Sequence, residues 1–271
     1  MAKIRQYHHH FHFSYTTSIK RHLLSIAIVT FLSLVILYLV IRFAAPENTF
    51  NIRAISWADI FLASANTLMR LFIAYIFSVV IAVPLALLIT STAKIEKILL
   101  PIFDVIQSVP VLEFFPVIVI FFAIYHAFEL AAIFLLLISM IWSLVFTMIG
   151  GLKAIPEDVR AAATVFHIGG WNKLRYITLP AIFPYIITGS LLAWGQGWNI
   201  IIVAEVIHNY IPHGQASQDL LGLGSLLINS FAQGNNSLFL TALAVMIVLI
   251  GLLNFFVWQK LLRVTERYKF D

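Results

Sequence analysis

Long uncharged apolar runs alternate with short polar connections along this chain of 271 residues. An uncharged stretch of about 20 residues can cross the hydrocarbon core of a bilayer as a helix, because only internal hydrogen bonding satisfies the backbone there. Leu23 to Ile41, Leu71 to Ala93, Leu130 to Leu152, Ala181 to Ala204 and Leu238 to Trp258 all reach that length. Ile98 to Phe128 is equally apolar but carries Asp104, Gln107 and Glu113 and is cut by Pro101, Pro110 and Pro116. Such residues are tolerated at membrane depth where a helix faces protein or a water-filled path, so this segment is predicted to be a broken, buried helix. The pattern therefore predicts an all-α polytopic membrane protein with about six transmembrane helices and both termini on one side. Leu23 to Ile41 exceeds the length of a signal-peptide core and reads as a retained first helix, although Ala44 and Ala45 mimic a cleavage site.

The connections divide the chain into a basic, His-rich tail (1–22), a transmembrane domain (23–262) and a short tail (263–271). Phe50 to Leu68, with Trp57 and Asp59, reads as an outer-surface stretch leading into the second span. Glu205 to Ser237 lacks Lys and Arg and contains Pro212, Gly214, Gly222, Gly224 and Gly234. It is expected to be an external loop with a short re-entrant or surface helix.

Composition agrees with a membrane protein: 61% of residues are hydrophobic and 11% charged, with a mean hydropathy of +0.97, too apolar for a soluble globule. The net charge of +5 reflects topology rather than nucleic-acid binding, since the basic residues flank the spans. Lys3, Arg5, Lys20, Arg21, Lys94, Lys97, Lys153, Arg160, Lys173, Arg175, Lys260, Arg263, Arg267 and Lys269 fall on the side of the termini, against Arg42 and Arg53 opposite and Arg70 near the second span. The positive-inside rule makes the first side, with the termini and the 153–180 loop, cytoplasmic. Membrane lipid is the expected surrounding and nucleic acid is not an expected partner. Without cysteine, disulfides and thiolate chemistry are excluded. Without a G-x-x-x-x-G-K-[ST] loop, nucleotide hydrolysis would fall to another polypeptide. No Ser/His/Asp set is arranged for nucleophilic catalysis, so the chain is not read as an enzyme. His8 to His10 and His12 are either metal ligands or part of a solvated or membrane-surface tail; no metal or cofactor is expected.

One polar interlude, 153–180, joins the fourth and fifth spans and is long enough to fold. Pro156 suits a first helical position, and Glu157 and Asp158 place negative charge at the positive end of the helix dipole. Val159, Ala162 or Ala163, and Phe166 recur at helical spacing, and the run Ala161 to Ala163 leaves a slim surface able to enter a groove. Gly169 and Gly170 are expected to end the helix. Trp171, Leu174 and Ile177 mark a second short turn before Leu179 and Pro180.

Matched from Ile177-Thr-Leu-Pro180, this loop resembles the cytoplasmic EAA loop of the permease subunits of binding-protein-dependent ABC importers. The family pattern is E-A-A-x-x-x-G, nine variable positions, then I-x-L-P. Ala162 and Ala163 fall on the two alanines; Ala161 stands where Glu is expected and His167 where Gly is expected. Asn66-Thr-Leu-Met-Arg70, Val203-Ala-Glu205 and Gly222-Leu-Gly224 resemble further family elements. Ala193 to Trp198 is similar to the nitrate, sulfonate, taurine and bicarbonate group. The resemblance implies a permease of a bacterial inner membrane that works by alternating access. Its implied partners are an ATP-binding subunit, a second permease subunit and an extracytoplasmic solute-binding protein. ATPase coupling would rest on Glu157, Arg160, Ala161, Ala162, Ala163, Phe166, His167 and Gly169.

Ionisable groups inside a membrane are costly and rare, which makes Glu113 and Glu205 candidate pathway residues. Arg70 is expected at the outer interface with its head group in water, and Asp104 at the cytoplasmic end. Gln196 and Asn199 share one helix face and either glue helices or line a path. The candidate path is thus Glu113, Gln196, Asn199 and Glu205. Two rival readings remain: a gradient-driven transporter or channel-like subunit with Glu113 or Glu205 as its ion site, and a membrane anchor that transports nothing.

Overall fold

A computed structural model describes residues 56–125, 127–211 and 219–266, and among them no strand occurs. The first expected span, Leu23 to Ile41, the His-rich tail and the last residues of the C-terminal tail lie outside the described residues. Helix α1 (Trp57–Ile89) is followed by α2 (Ala93–Ser108), a 3-10 turn (Val111–Phe114), α3 (Phe115–Ala123) and α4 (Phe128–Lys153). The loop helix α5 (Glu157–Val165) and a single turn α6 (Gly170–Lys173) lead into α7 (Leu179–Glu205). Then come α8 (Leu223–Ala232), α9 (Asn236–Leu253) and α10 (Gln259–Thr265). Among the described residues four continuous helices, Trp57–Ile89, Phe128–Lys153, Gly170–Glu205 and Asn236–Thr265, are long and apolar enough to cross a membrane.

Helix α1 starts well before Leu71. A capping box sets its first turn: Ser56 Oγ accepts from the Ala58 N–H (3.1 Å) and the Ser56 N–H donates to Asp59 Oδ2 (3.2 Å). With its orphan donors satisfied in this way the helix continues without interruption, so Trp57 to Leu68 is helix rather than a surface stretch.

The proline-bearing segment is broken, as its prolines predict. Helices α2 and α3 meet at 79°. Val109 before Pro110 is extended (ψ 125°), because a residue preceding proline is disfavoured in the helical region. The expectation that this segment is buried holds only in part. No residue of α2 is buried, whereas Phe115, Ile118 and Val119 of α3 are.

Helix α4 is the centre of the bundle. Ala131, Ala132, Leu135, Leu136, Met140, Leu144, Val145 and Met148 are all buried, packed between α1 and α7. Lipid tails are as apolar as leucine, so such helices associate by close packing rather than by the hydrophobic effect. Small residues supply that closeness. A Cβ on Gly151 would lie 2.6 Å from the Tyr185 ring. One on Gly189 would run into Thr147, and one on Gly197 into Met140. Tyr75, Trp194 and Trp258 form a ring cluster with centroids 5.9–6.4 Å apart that ties α1, α7 and the α9–α10 helix together.

The basic connections gather at one end of the bundle, where Lys153 after α4 pairs with Glu96 of α2. At the other end α8 folds back against α7, α9 and α1. Asp219 fastens the chain there by accepting from the Ile207 and His208 N–H groups (2.9 and 3.0 Å) and from Asn229 Nδ2 (3.0 Å).

Glycine substitutions test the α4–α7 contact. Gly151→Leu should lower the stability of the purified protein by about 1–3 kcal/mol through overpacking. Gly195→Ala, which meets nothing within 4 Å, should be neutral when thermal unfolding in detergent is followed by size-exclusion chromatography.

Candidate functional site

The loop folds as a helix with its own stop. Helix α5 begins after Pro156 and ends at Phe166. His167 then takes φ +53°, its N–H bonding Thr164 O (3.1 Å) while the Ile168 N–H bonds Ala163 O (2.8 Å). This is a Schellman closure, the arrangement in which a helix end prefers glycine. The stop is therefore His167, two residues ahead of the expected Gly169–Gly170. The left-handed conformation explains why glycine is the residue the family pattern has at this place. Gly170 also has a positive φ (+54°) and redirects the chain into α6.

The apolar positions of α5 do not form one stripe. Ala163 is buried and Val159 half-buried, while Ala161, Ala162, Val165 and Phe166 are exposed. Phe166 and Trp171 are 74% and 68% exposed, so a slim helix flanked by large rings stands free at the basic end. Glu157 and Gly169 are exposed on the same loop. Arg160 Nη2 donates to Leu152 O (2.7 Å). The bond fastens the loop helix to an orphan carbonyl in the last turn of α4, where the helix dipole favours a cation.

A cavity of about 320 Å³ opens between α2, the 3-10 turn, α4 and α7. Its polar lining is Gln107, Ser139, Ser143, Gln196 and Asn199, with Trp142 alongside, and it contains no charged residue. Gln196 and Asn199 thus do share one face. Glu113 does not line the cavity; it is exposed on the turn whose Val111 and Phe114 do. Asp104 lies exposed on α2, accepting from Gln107 Nε2 (2.9 Å).

Glu205 belongs to a different constellation. Its carboxylate is fully buried and accepts from Thr67 Oγ1 (2.7 Å), Arg70 Nη1 (2.8 Å) and the Gly224 N–H (2.7 Å). Arg70 Nε and Nη2 form a two-pronged pair with the Glu129 oxygens (both 2.7 Å), and Nη1 also reaches Leu221 O (3.0 Å). Thr67 Oγ1 in turn accepts from the Leu223 N–H (2.9 Å). A side chain at Gly222 would collide with the Glu205 carboxylate, and a Cβ at Gly224 would lie 2.7 Å from Ile202 Cα. Both positions of the Gly-Leu-Gly element therefore require glycine for close backbone approach.

Arg70 does not extend into water as expected; it is 1% exposed, because partners from α4 and α7 satisfy its fork inside the bundle. The sequence reading passed over Glu129 and Thr67. A signal was available, since Arg70 precedes Leu71, Glu129 precedes Leu130 and Glu205 follows Ala204. Opposite charges thus bound three uncharged runs at the same end.

The family described as binding-protein-dependent transport system inner membrane component matches residues 82–263. The chain belongs to this family. It is similar to the nitrate import permease protein NrtB of Leptolyngbya laminosa, 29% identical over 194 residues, or 72% of this chain and 64% of that protein. It is also similar to the bicarbonate transport system permease protein CmpB of Synechococcus elongatus, 25% identical over 174 residues (64% of the chain, 58% of the relative). The taurine transport system permease protein TauC of Escherichia coli is 26% identical over 143 residues (53% and 51%). The chain spans less than two thirds of the length of these relatives. The family is one of multi-pass membrane transport proteins, and the four apolar helices of spanning length among the described residues, with the bent α2–α3 pair beside them, agree with it.

The conformation at position 167 yields a prediction. His167→Gly should stabilise the loop by up to about 1 kcal/mol, the scale of the left-handed penalty for a residue with a Cβ. Amide hydrogen exchange across 157–168 should slow, with transport retained or improved.

Proposed function

We propose that the chain is the permease subunit of an ATP-binding-cassette importer, forming half of a solute path and driven by a separate ATPase. The observation that carries this reading is the free-standing α5 helix with Phe166 and Trp171 exposed beside it and Arg160 fastened to α4. It has the size and apolar face of a helix that seats in a groove. Both termini and the 153–180 loop would be cytoplasmic, as the gathering of Lys and Arg at that end supports. The remaining partners are a second permease subunit, identical or paralogous, and an extracytoplasmic solute-binding protein.

A groove can drive the cycle only if it holds α5 differently in the open and closed ATPase. Displacement of α5 is delivered through Arg160 to α4 and through Leu179 to α7, helices that the glycine contacts lock together. Ala161 in place of the family's Glu removes a charge from the docking face and leaves the contact more dependent on Ala162, Val165 and Phe166.

For the path, the cavity between α2, α4 and α7 is the best-supported segment. Gln196, Asn199 and Ser143 carry polar groups with no hydrogen-bond partner among the described residues. Facing lipid, each would cost free energy; facing a water-filled path, they replace the hydration shell of a passing solute. Glu113 stands at the rim as a gate residue, and Glu205 serves the path by holding its outer end. The relatives named for nitrate, bicarbonate and taurine support a small solute bearing an oxyanion group, free as in nitrate and bicarbonate or as the sulfonate of zwitterionic taurine.

In the assembled importer, Ala162→Asp or Phe166→Asp should abolish solute-stimulated ATP hydrolysis while the chain still folds. Full stimulation by both variants, or uptake by this chain alone in ATP-free vesicles, would contradict the reading. Asn199→Asp and Gln196→Glu place a fixed negative charge in the cavity. Each should cut uptake of a labelled anion about tenfold or more, the factor carried by about 1.4 kcal/mol, whereas the Ser or Ala variants should act more mildly.

A further inference from the structure

We infer that Glu129 is a releasable latch on Arg70: the Arg70–Glu205 pair is the permanent half of the ionic node, and the Arg70–Glu129 pair opens when the outer ends of the spanning helices separate. The inference rests on the permease reading and concerns which contact that transporter breaks.

The two carboxylates differ in what they would leave behind. The Glu205 side chain is 0% exposed and the Glu129 side chain 54% exposed, although both bond the same guanidinium. Withdrawing Glu205 would strand a charge in the interior, which is strongly unfavourable. Withdrawing Glu129 returns a carboxylate already half in water to full solvation and leaves Arg70 its buried partner Glu205, so no charge is stranded without a counter-charge. Charge balance agrees: Arg70 with Glu205 alone is neutral, whereas the three together carry a surplus negative charge. Water entering behind the departing carboxylate can take up Arg70 Nε and Nη2.

Connectivity shows which helix would move. Helices α1, α7 and α8 are cross-tied by the bonds of Asn66, Thr67 and Arg70 to Leu221, Glu205 and Leu223, and by the Gly224 N–H donating to Glu205. The outer two turns of α4 make no other side-chain hydrogen bond among the described residues. Ala127, which opens the helix, gives no side-chain cap. The close glycine approaches pin α4 to α7 only between Met140 and Gly151. From Met140 to Gly151 the two helices are one body; in the half of α4 before Met140 the ties to α1 are the weak Ser78 Oγ bond to Leu137 O (3.3 Å), near the middle of the helix, and the Arg70–Glu129 pair at its end.

Glu129 acts through Arg70 and is a positioning residue, so the test reads position as well as transport. The chain has no cysteine, which allows clean spin-label pairs: Leu130→Cys with Phe231→Cys across the latch, and Leu62→Cys with Phe231→Cys across the permanent half. All three side chains are exposed. In the ATPase-bound importer in lipid nanodiscs, the first distance should lengthen between the nucleotide-free and ATP-bound states while the second stays fixed. Glu129→Gln should raise the long-distance fraction without nucleotide roughly two- to fivefold, as expected for losing a half-exposed pair. It should also raise ATP hydrolysed per solute moved, and Glu129→Asp should restore both. An unchanged Leu130–Phe231 distance in an importer that still transports would overturn the latch and leave the permease reading intact. Failure to bind any ATPase would instead remove the permease reading. Should Glu129→Gln not assemble, the nucleotide comparison in the otherwise native chain decides.

Discussion

A guanidinium can lie inside a bundle of lipid-embedded helices only if another helix brings it a carboxylate, and the pairing of Arg70 with Glu205 meets that condition. The pair is closed on every side. Thr67 and the Gly224 N–H satisfy the remaining carboxylate lone pairs, Leu221 O takes an Arg70 donor, and Gly222 and Gly224 leave the room the carboxylate and backbone need. Breaking such a pair by removing one member leaves an uncompensated buried charge, a loss of about 3–5 kcal/mol. This cost fixes the register of α1 against α7 and holds α8 in its folded-back position. The outer end of the bundle inherits its geometry from that one contact.

At the opposite end the controlling feature is a lever rather than a lock. Helix α5 is fastened to the bundle by the Arg160 bond to Leu152 O, with Ala163 buried and Val159 half-buried, and presents its other face to solvent. Between lever and lock, Gly151, Gly189 and Gly197 bring α4 and α7 so close that they cannot slide without collision. A displacement at the loop therefore reaches the level of the cavity with little loss. There the lining is polar but, among the described residues, uncharged.

Much of this was legible in the sequence, and what was not has identifiable causes. The spans follow from apolar run length, and the break at Pro110 follows from proline's effect on Val109. The loop helix was placed within a residue of its start because Pro156, Glu157 and Asp158 are strong local signals. Its end was misjudged, because glycine marks the common site of a left-handed residue and His167 occupies that conformation without being glycine. The extension of α1 to Trp57 was hidden by reading Trp57 and Asp59 as surface residues instead of the first turn of a capped helix. The ionic node was hidden for a different reason. Arg70, Glu129 and Glu205 are separated by 59 to 135 positions, and only a three-dimensional packing brings them together.

A double-mutant cycle on the stability of the purified chain tests the buried pair most directly, with Arg70→Met and Glu205→Gln measured singly and together. If the pair organises the outer end, each single change is severe, and the double variant recovers at least about 1 kcal/mol relative to the sum of the two. Strict additivity of the two losses would show that Arg70 and Glu205 act independently, and would contradict the account.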